Sequence, residues 1–256
     1  MIRVDLNADM GESFGPWKMG DDDSLLKTVT SANIACGAHA GDPDVMAHTM
    51  RTAMANGVGI GAHPGFADLQ GFGRRRMSVP RGNLQNSIRY QVAASVGMAR
   101  AIGAKVRHLK LHGALANMCS EDEKLASDLF EAALSVAPDL IVMVLSATAQ
   151  EDAVRALGCS YAGEIFADRA YNDDATLVDR SLEGAVIHDP EIAGARMVEM
   201  VKAGAIITGS GKRIQTSIDT ICLHGDTPTA VQIARSVRGA LEAAGVTLTQ
   251  FDGRRG

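Results

Sequence analysis

The sequence predicts an α/β fold built on a parallel sheet. Short apolar runs of four to six residues alternate with longer stretches of helical spacing. The runs are apolar throughout rather than at every second position, Leu140-Ile-Val-Met-Val-Leu145 being the clearest, as in strands buried on both faces. Capping and breaking residues then fall in the order that βαβ units require.

The elements follow in sequence. A strand is expected over residues 2–7 and a second over 31–36. Asp42-Pro43 opens a helix over 44–56, which Asn56-Gly57 stops. A strand at 58–62 leads to a helix over 80–102, from Pro80 to the breaker Gly103. The strand at 107–111 precedes a helix over 121–136, which opens after Ser120 with Glu123 three residues on. Residues 140–145 and 161–166 are strands around a helix at 148–157, stopped by Gly158. Pro190 begins a helix that Gly204 ends. Two short runs, 205–208 and 213–216, flank Gly209-Ser210-Gly211 and predict a hairpin insertion. A strand at 220–223 and a helix at 228–244 complete the pattern, and residues 246–251 can add an edge strand. Spread over seven strands, 256 residues leave roughly 37 per βα unit, which suits one domain over 1–256.

Composition narrows the function classes. Lys and Arg number 25 against 30 Asp and Glu, a net charge of −5, so no basic surface for nucleic acid is expected. No run approaches the ~18 apolar residues of a membrane span, and the acids in Met1-Ile-Arg-Val-Asp-Leu-Asn-Ala-Asp-Met-Gly-Glu12 do not suit a signal peptide. A cytoplasmic location is expected. The four cysteines form no CxxC pair and are read as reduced. Aromatics are only 4% and glycines 27, which suits tight loops around a small ligand.

Polar residues gather at one end of the predicted strands. His39, His63 and His224 follow strands, and His112 ends another. The first strand runs into Asp5, Asn7, Asp9 and Glu12, and the sixth into Glu164, Asp168 and Arg169. In a parallel barrel such positions converge on a common mouth, and in an open sheet they line the crevice beyond the strand ends. Strand alternation aims Asp5 and Asn7, and Asp9 if the strand continues, to one face. His48, His108 and His188 sit on helices, helix entries or mid-strand and are read as structural. Asp9, His39 and His63 could give zinc or iron two histidines and a carboxylate, although HxxxH and HExxH spacings are absent. Lys110, His112 and Arg169 could hold an anion, and Gly71-Phe-Gly-Arg-Arg-Arg76 either clamps a carboxylate through Arg74 or is a solvated loop. No P-loop, GxGxxG or GxSxG motif is present.

Six segments carry a family resemblance. They are Asp5-Leu-Asn-Ala-Asp-Met-Gly-Glu12, Ser31-Ala-Asn-Ile-Ala-Cys-Gly-Ala-His39-Ala-Gly-Asp42, Gly61-Ala-His-Pro64, Lys110-Leu-His-Gly-Ala-Leu115, Phe166-Ala-Asp-Arg-Ala-Tyr171 and Thr220-Ile-Cys-Leu-His-Gly-Asp226. From residue 2 to about residue 245 the chain resembles the LamB/YcsF family, the A subunits of the bacterial ATP-dependent 5-oxoprolinase. It departs from the family pattern at Ala38, Leu111 and Ala116, where an aromatic, a proline and a tyrosine are common. The resemblance implies an irregular seven-stranded (β/α) barrel like that of polysaccharide deacetylases. It implies opening of 5-oxo-L-proline to L-glutamate with ATP (and Mg) and two partner subunits, B and C. A homo-oligomer and a bound transition metal are left open.

Carried over by motif, the site residues are Asp5, Asn7, Asp9, Glu12, Asn33, His39, Asp42, His63, Lys110, His112, Glu164, Asp168, Arg169, His224 and Asp226. An unactivated lactam resists water, so coupling to ATP suggests phosphorylation of the lactam oxygen before water attacks. Asp9 or Glu12 with His39 or His63 is then expected as base, Lys110 and His112 as charge stabilisers, and Arg169 as holder of the substrate carboxylate. Asp5, Asn7, Asn33, Asp42, Arg74, Glu164, Asp168, His224 and Asp226 are expected to bind substrate. Two other readings are a stand-alone metal-dependent deacetylase or hydrolase acting on a small amide or carbohydrate, and a non-enzymatic protein that binds substrate or scaffolds its partners.

Overall fold

Hydrogen bonding closes seven parallel strands into a ring. In the computed structural model, which describes residues 2–224 and 230–255, β1 (Arg3–Met10), β2 (Ser31–Ala35), β3 (Gly59–His63), β4 (Val106–Lys110), β5 (Ile141–Leu145) and β6 (Ser160–Phe166) pair in that order. After an antiparallel hairpin, β7 (Ala205–Ile207) and β8 (Arg213–Gln215), β9 (Thr220–Leu223) pairs with both β6 and β1 and shuts the barrel. The α/β class, all seven predicted strands and the hairpin pairing are therefore present. The seven-stranded barrel that the resemblance implied is closed as well.

The helices are α1 (Asp22–Leu25), α2 (Pro43–Ala55), α3 (Arg81–Ala101), α4 (Gly113–Glu121), α5 (Glu123–Leu134), α6 (Ala149–Leu157), α7 (Pro190–Ala203) and α8 (Ala230–Ala243). Capping decides several boundaries. Asp42 accepts from the amides of Asp44 and Val45 to start α2, and Gly204 ends α7 at φ 58°. Helix α4 departs from the sequence pattern, which opens a single helix at 121. The chain instead turns helical directly after His112, breaks at the extended residue Asp122, and restarts with the Asp122 side chain capping Leu125. The tail contributes β10 (Thr247–Leu248), parallel to β1, and β11 (Arg254–Arg255), antiparallel to β6.

β1 continues three residues beyond the predicted strand because Ala8, Asp9 and Met10 pair with Ala32, Asn33 and Ile34. That extension puts Asp9 on the same face as Asp5 and Asn7. The strands are buried on both faces, but the faces differ. Val4, Leu6, Ala8 and Met10 join the apolar core. Asp5, Asn7 and Asp9 bond inside the barrel to Thr220, Asn33 and Lys110. A barrel lumen is ordinarily filled by bulky branched residues. Here polar side chains from β1, β2, β4, β6 and β9 fill it and must satisfy one another, since buried polar groups without partners are costly.

Candidate active site

The polar lumen has a floor, a middle and a mouth. At the floor, Asp5 accepts from Thr30 Oγ1 at 2.6 Å, Ser31 Oγ at 2.7 Å and Thr220 Oγ1 at 2.5 Å. It is fully buried, and its bonds tie β1 to β2 and β9. Burial outweighs these three hydroxyls and pushes its carboxyl up to about 6 from an ordinary 3.8. The sign follows directly. Between those values the folded chain holds a proton that the unfolded chain has released, so stability falls as pH rises, by about 3 kcal/mol in all. Asp5→Asn, compared with wild type by urea unfolding at pH 4 and pH 7, is expected to gain by that amount across the interval. A difference that does not change with pH would count against it.

The middle layer is one connected network. Asn33 Nδ2 donates to Asn7 Oδ1 at 2.7 Å and to Asp9 Oδ1 at 2.9 Å. Asn7 Nδ2 donates to Glu164 Oε1 at 3.0 Å and Thr220 Oγ1 at 2.7 Å. Lys110 Nζ sits at the centre, 2.9 Å from Asp9 Oδ1, 2.8 Å from Glu164 Oε1 and 3.0 Å from Cys222 Sγ. Burial alone would push this lysine down, but the two carboxylates hold it well above its ordinary value. Asp9 is likewise held well below its ordinary value, against its burial, by His63 and Lys110. Burial pushes Glu164 up, partly offset by Lys110. Of the two carboxylates beside one ammonium, Asp9 therefore stays ionised and Glu164 takes a proton first.

Beneath this layer, His108 Nε2 donates to Asn33 Oδ1 at 2.8 Å and fixes the amide's orientation. Its imidazole is fully buried and pushed down to about 3, so it is neutral, as its structural reading requires. The ring occupies the space a side chain at Gly61 would take.

The mouth has two sides. On one, His39, His63, His112 and Glu12 crowd together. The His39 and His112 rings stack 3.6 Å apart, and both are pushed well below the ordinary histidine value, first by burial. Their nitrogens and the carboxylate offer ligand atoms all within 4.8 Å of one another, a set that could hold a metal. Asp9, Cys222 and His224 form a second such group. On the other side, His224 Nδ1 stands 2.7 Å from Asp168 Oδ2, and Arg180 Nη2 donates to His224 Nε2 at 2.8 Å. His224 therefore donates its Nδ1–H to Asp168 and accepts from Arg180 at Nε2, which orients that guanidinium.

A cavity of about 660 Å³ lies between the two sides. Asp9, Lys110 and Glu164 reach it from below, and Arg74, Arg76, Arg169 and Arg180 approach from the rim. Arg74 packs its guanidinium on Phe72, 4.8 Å from the ring centre. Arg169 is largely engaged with backbone, donating to the carbonyls of Val178 and Ala185. It anchors the segment that carries Arg180.

Fourteen of the sixteen expected residues belong to the lumen or its mouth. Asp42 does not. It caps α2, accepts from the Gly15 amide, and lines a separate cavity beside α3. Asp226 lies outside the described residues. Cys222 and Arg180 join the site without having been expected from the sequence. Period-two alternation from Thr220 through Cys222 to His224 could have found the first. Arg180 lies in a segment without periodicity, and nothing local marks it.

Comparison with known proteins agrees with the fold. The chain is 72% identical over 252 residues to a protein of Ruegeria pomeroyi named as the A subunit of 5-oxoprolinase, covering 98% of this chain and all of that one. It superimposes on the lactam utilization protein of Thermus thermophilus with a TM-score of 0.91 at 40% identity, covering 98% and 100% of the two chains. A polysaccharide deacetylase of Bacillus cereus shares the fold at a TM-score of 0.50 and 14% identity, covering 98% and 92%. Residues 4–256 match the LamB/YcsF family model, and the chain belongs to that family.

Proposed function

We propose that this chain is the A subunit of an ATP-dependent 5-oxoprolinase, opening 5-oxo-L-proline to L-glutamate together with two partner subunits, B and C. One observation of geometry carries the proposal. A buried lysine shared by two carboxylates sits under a small cavity whose rim is rich in arginine. That suits a compact substrate with one carboxylate and one lactam. The identity of the substrate comes from the relatives' names.

Ring opening needs three things: a cation for charge on the lactam oxygen, an acceptor for a proton from water, and a donor for the departing nitrogen. Lys110 supplies the charge. Asp9, held ionised beside His63, is on the acceptor side. Glu164, the carboxyl that protonates more readily, supplies the proton to nitrogen. Arg180, oriented through His224, and Arg74 take the substrate carboxylate. Resonance makes the lactam a poor electrophile, so ATP enters as phosphoryl donor to the lactam oxygen in the assembled enzyme, releasing ADP. Water then adds to the ring carbon, phosphate leaves from the oxygen and the C–N bond breaks as the nitrogen takes its proton.

The test is reconstitution. Co-expressed with both partner subunits, the chain is expected to release glutamate from 5-oxoproline only when ATP is present, with ADP formed in step. Glutamate formed at the same rate without ATP, or by the partners alone, would overturn the proposal.

A further inference from the structure

The histidine side of the mouth has a hydrogen-bonding pattern that the proposed ring opening leaves unexplained. His63 Nδ1 lies 2.8 Å from the carbonyl oxygen of Lys110. A carbonyl only accepts, so Nδ1 carries the hydrogen and Nε2 presents a lone pair. His112 Nε2 lies 2.8 Å from the carbonyl oxygen of Phe72, so its Nδ1 presents a lone pair by the same reasoning. These two lone-pair nitrogens face each other at 3.0 Å. While both rings are neutral, neither has a hydrogen to give the other; only a second proton on His63 would supply one. Nor can the carboxylate oxygens beside them help, since Asp9 Oδ2 is 3.3 Å from His63 Nε2 and Glu12 Oε1 is 3.6 Å from His112 Nδ1. In the neutral state acceptors converge here, which leaves a place for a cation, either a proton or a metal ion.

The spacing also suits an ion held between them. Four ligands at 2.0–2.2 Å from a tetrahedral zinc-type ion stand about 3.3–3.5 Å apart. The neighbouring separations here are 3.0 Å for His63 to His112, 3.6 Å for His112 to Glu12 and 3.3 Å for His63 to Asp9. The outer contacts agree, because a metal-bound histidine ordinarily donates its other ring nitrogen to a carbonyl or carboxylate. His63 and His112 both do so. Phe72 holds φ 52° to present its carbonyl, a left-handed conformation that is costly for a bulky residue and is kept where something requires it.

We infer that Glu12, His63 and His112 form a binding site for one divalent transition-metal ion of the zinc or iron class, with Asp9 at its edge and His39 stacked on His112 beside it. Imidazole-rich sets with one carboxylate select such ions over magnesium or calcium. When bound, the ion would polarise a carbonyl oxygen or acidify a water at the cavity wall. The site differs from the Asp9, His39 and His63 set that the sequence offered. Strand register brings His112 into it and leaves Asp9 chiefly to Lys110. The inference stands on the histidine geometry and does not depend on the substrate.

The test uses the full-length chain, free of affinity tag, stripped with a chelator and titrated with Co(II). One equivalent is expected to bind and produce visible absorption bands of a four- or five-coordinate cobalt centre, which Zn(II) then removes. His63→Ala and His112→Ala are expected to weaken Co(II) binding at least on the order of 100-fold with unchanged circular dichroism. His48→Ala, on the exposed face of α2, serves as the control and is expected to keep it. In wild-type chain carrying ¹⁵N-histidine, Zn(II) is expected to shift two ring nitrogens, His63 Nε2 and His112 Nδ1, a readout that needs no variant to fold. The inference is overturned if the folded wild-type chain gives no cobalt bands, if both alanine variants bind like wild type, or if those nitrogen resonances do not move.

Discussion

Lys110→Met is expected to destabilise the chain by about 3–5 kcal/mol and to cut glutamate formation by the assembled enzyme about 10²–10³-fold. The stability loss follows from what remains. Asp9 and Glu164 each lose a partner at less than 3 Å and stay buried side by side. One of them must then take a proton, or both must bear uncompensated charge. The activity loss follows from the cation's place under the cavity, where no other lysine and no arginine pairs with Asp9 or Glu164 among the described residues. Asp9→Asn combined with Lys110→Met separates the two effects. The double variant removes one charge of each sign and is expected to recover part of the stability and none of the activity. Urea unfolding and the reconstituted assay read them independently. A folded Lys110→Met chain within tenfold of wild-type activity would remove Lys110 from the chemistry.

Gly61→Ala is expected to cost about 3 kcal/mol or more, although it adds a single methyl group. Gly61 pairs with His108 across β3 and β4, and the imidazole folds back over the glycine. A Cβ there would stand 2.1 Å from His108 Nε2 and 2.2 Å from Cδ2. The ring cannot stay. It is buried against Phe251, with ring centres 5.3 Å apart, and its bond to Asn33 orients the amide that holds Asn7 and Asp9. Displacing it disturbs the layer beneath Lys110, so the substitution is expected to lower activity together with the unfolding midpoint. The check is non-additivity. His108→Ala on the same chain vacates the space, and the double variant is expected to be more stable than the two single losses summed. Strict additivity would mean that the clash is relieved elsewhere.

Gly61 and Lys110 show why the sequence can be read so far and no further. The seven strands are legible because each is a local apolar run, buried on both faces and bounded by its own cap or turn residues. The polar end of the barrel is legible because polar residues follow those runs in six segments. Asp42 looks equivalent to its neighbours in sequence and is a helix cap in the fold, since a carboxylate before a proline serves either purpose. Helix α4 escapes a reading by spacing because Gly113 and Asp122 each resemble a helix boundary.

By itself, then, the sequence determined the α/β order, the strand positions, the family and most of the ionisable residues at the site, all of which are short-range patterns. The tertiary structure decided which of those residues meet. Lys110 finds Asp9 and Glu164 across the barrel from positions 101 and 54 residues away. The lone pairs of His63 and His112 face each other only because two backbone carbonyls, one at Lys110 and one in the strained turn at Phe72, take the hydrogens from their far sides. Hydrogen-bond direction depends on strand register and loop conformation at once, and neither is written in the spacing of the residues it connects.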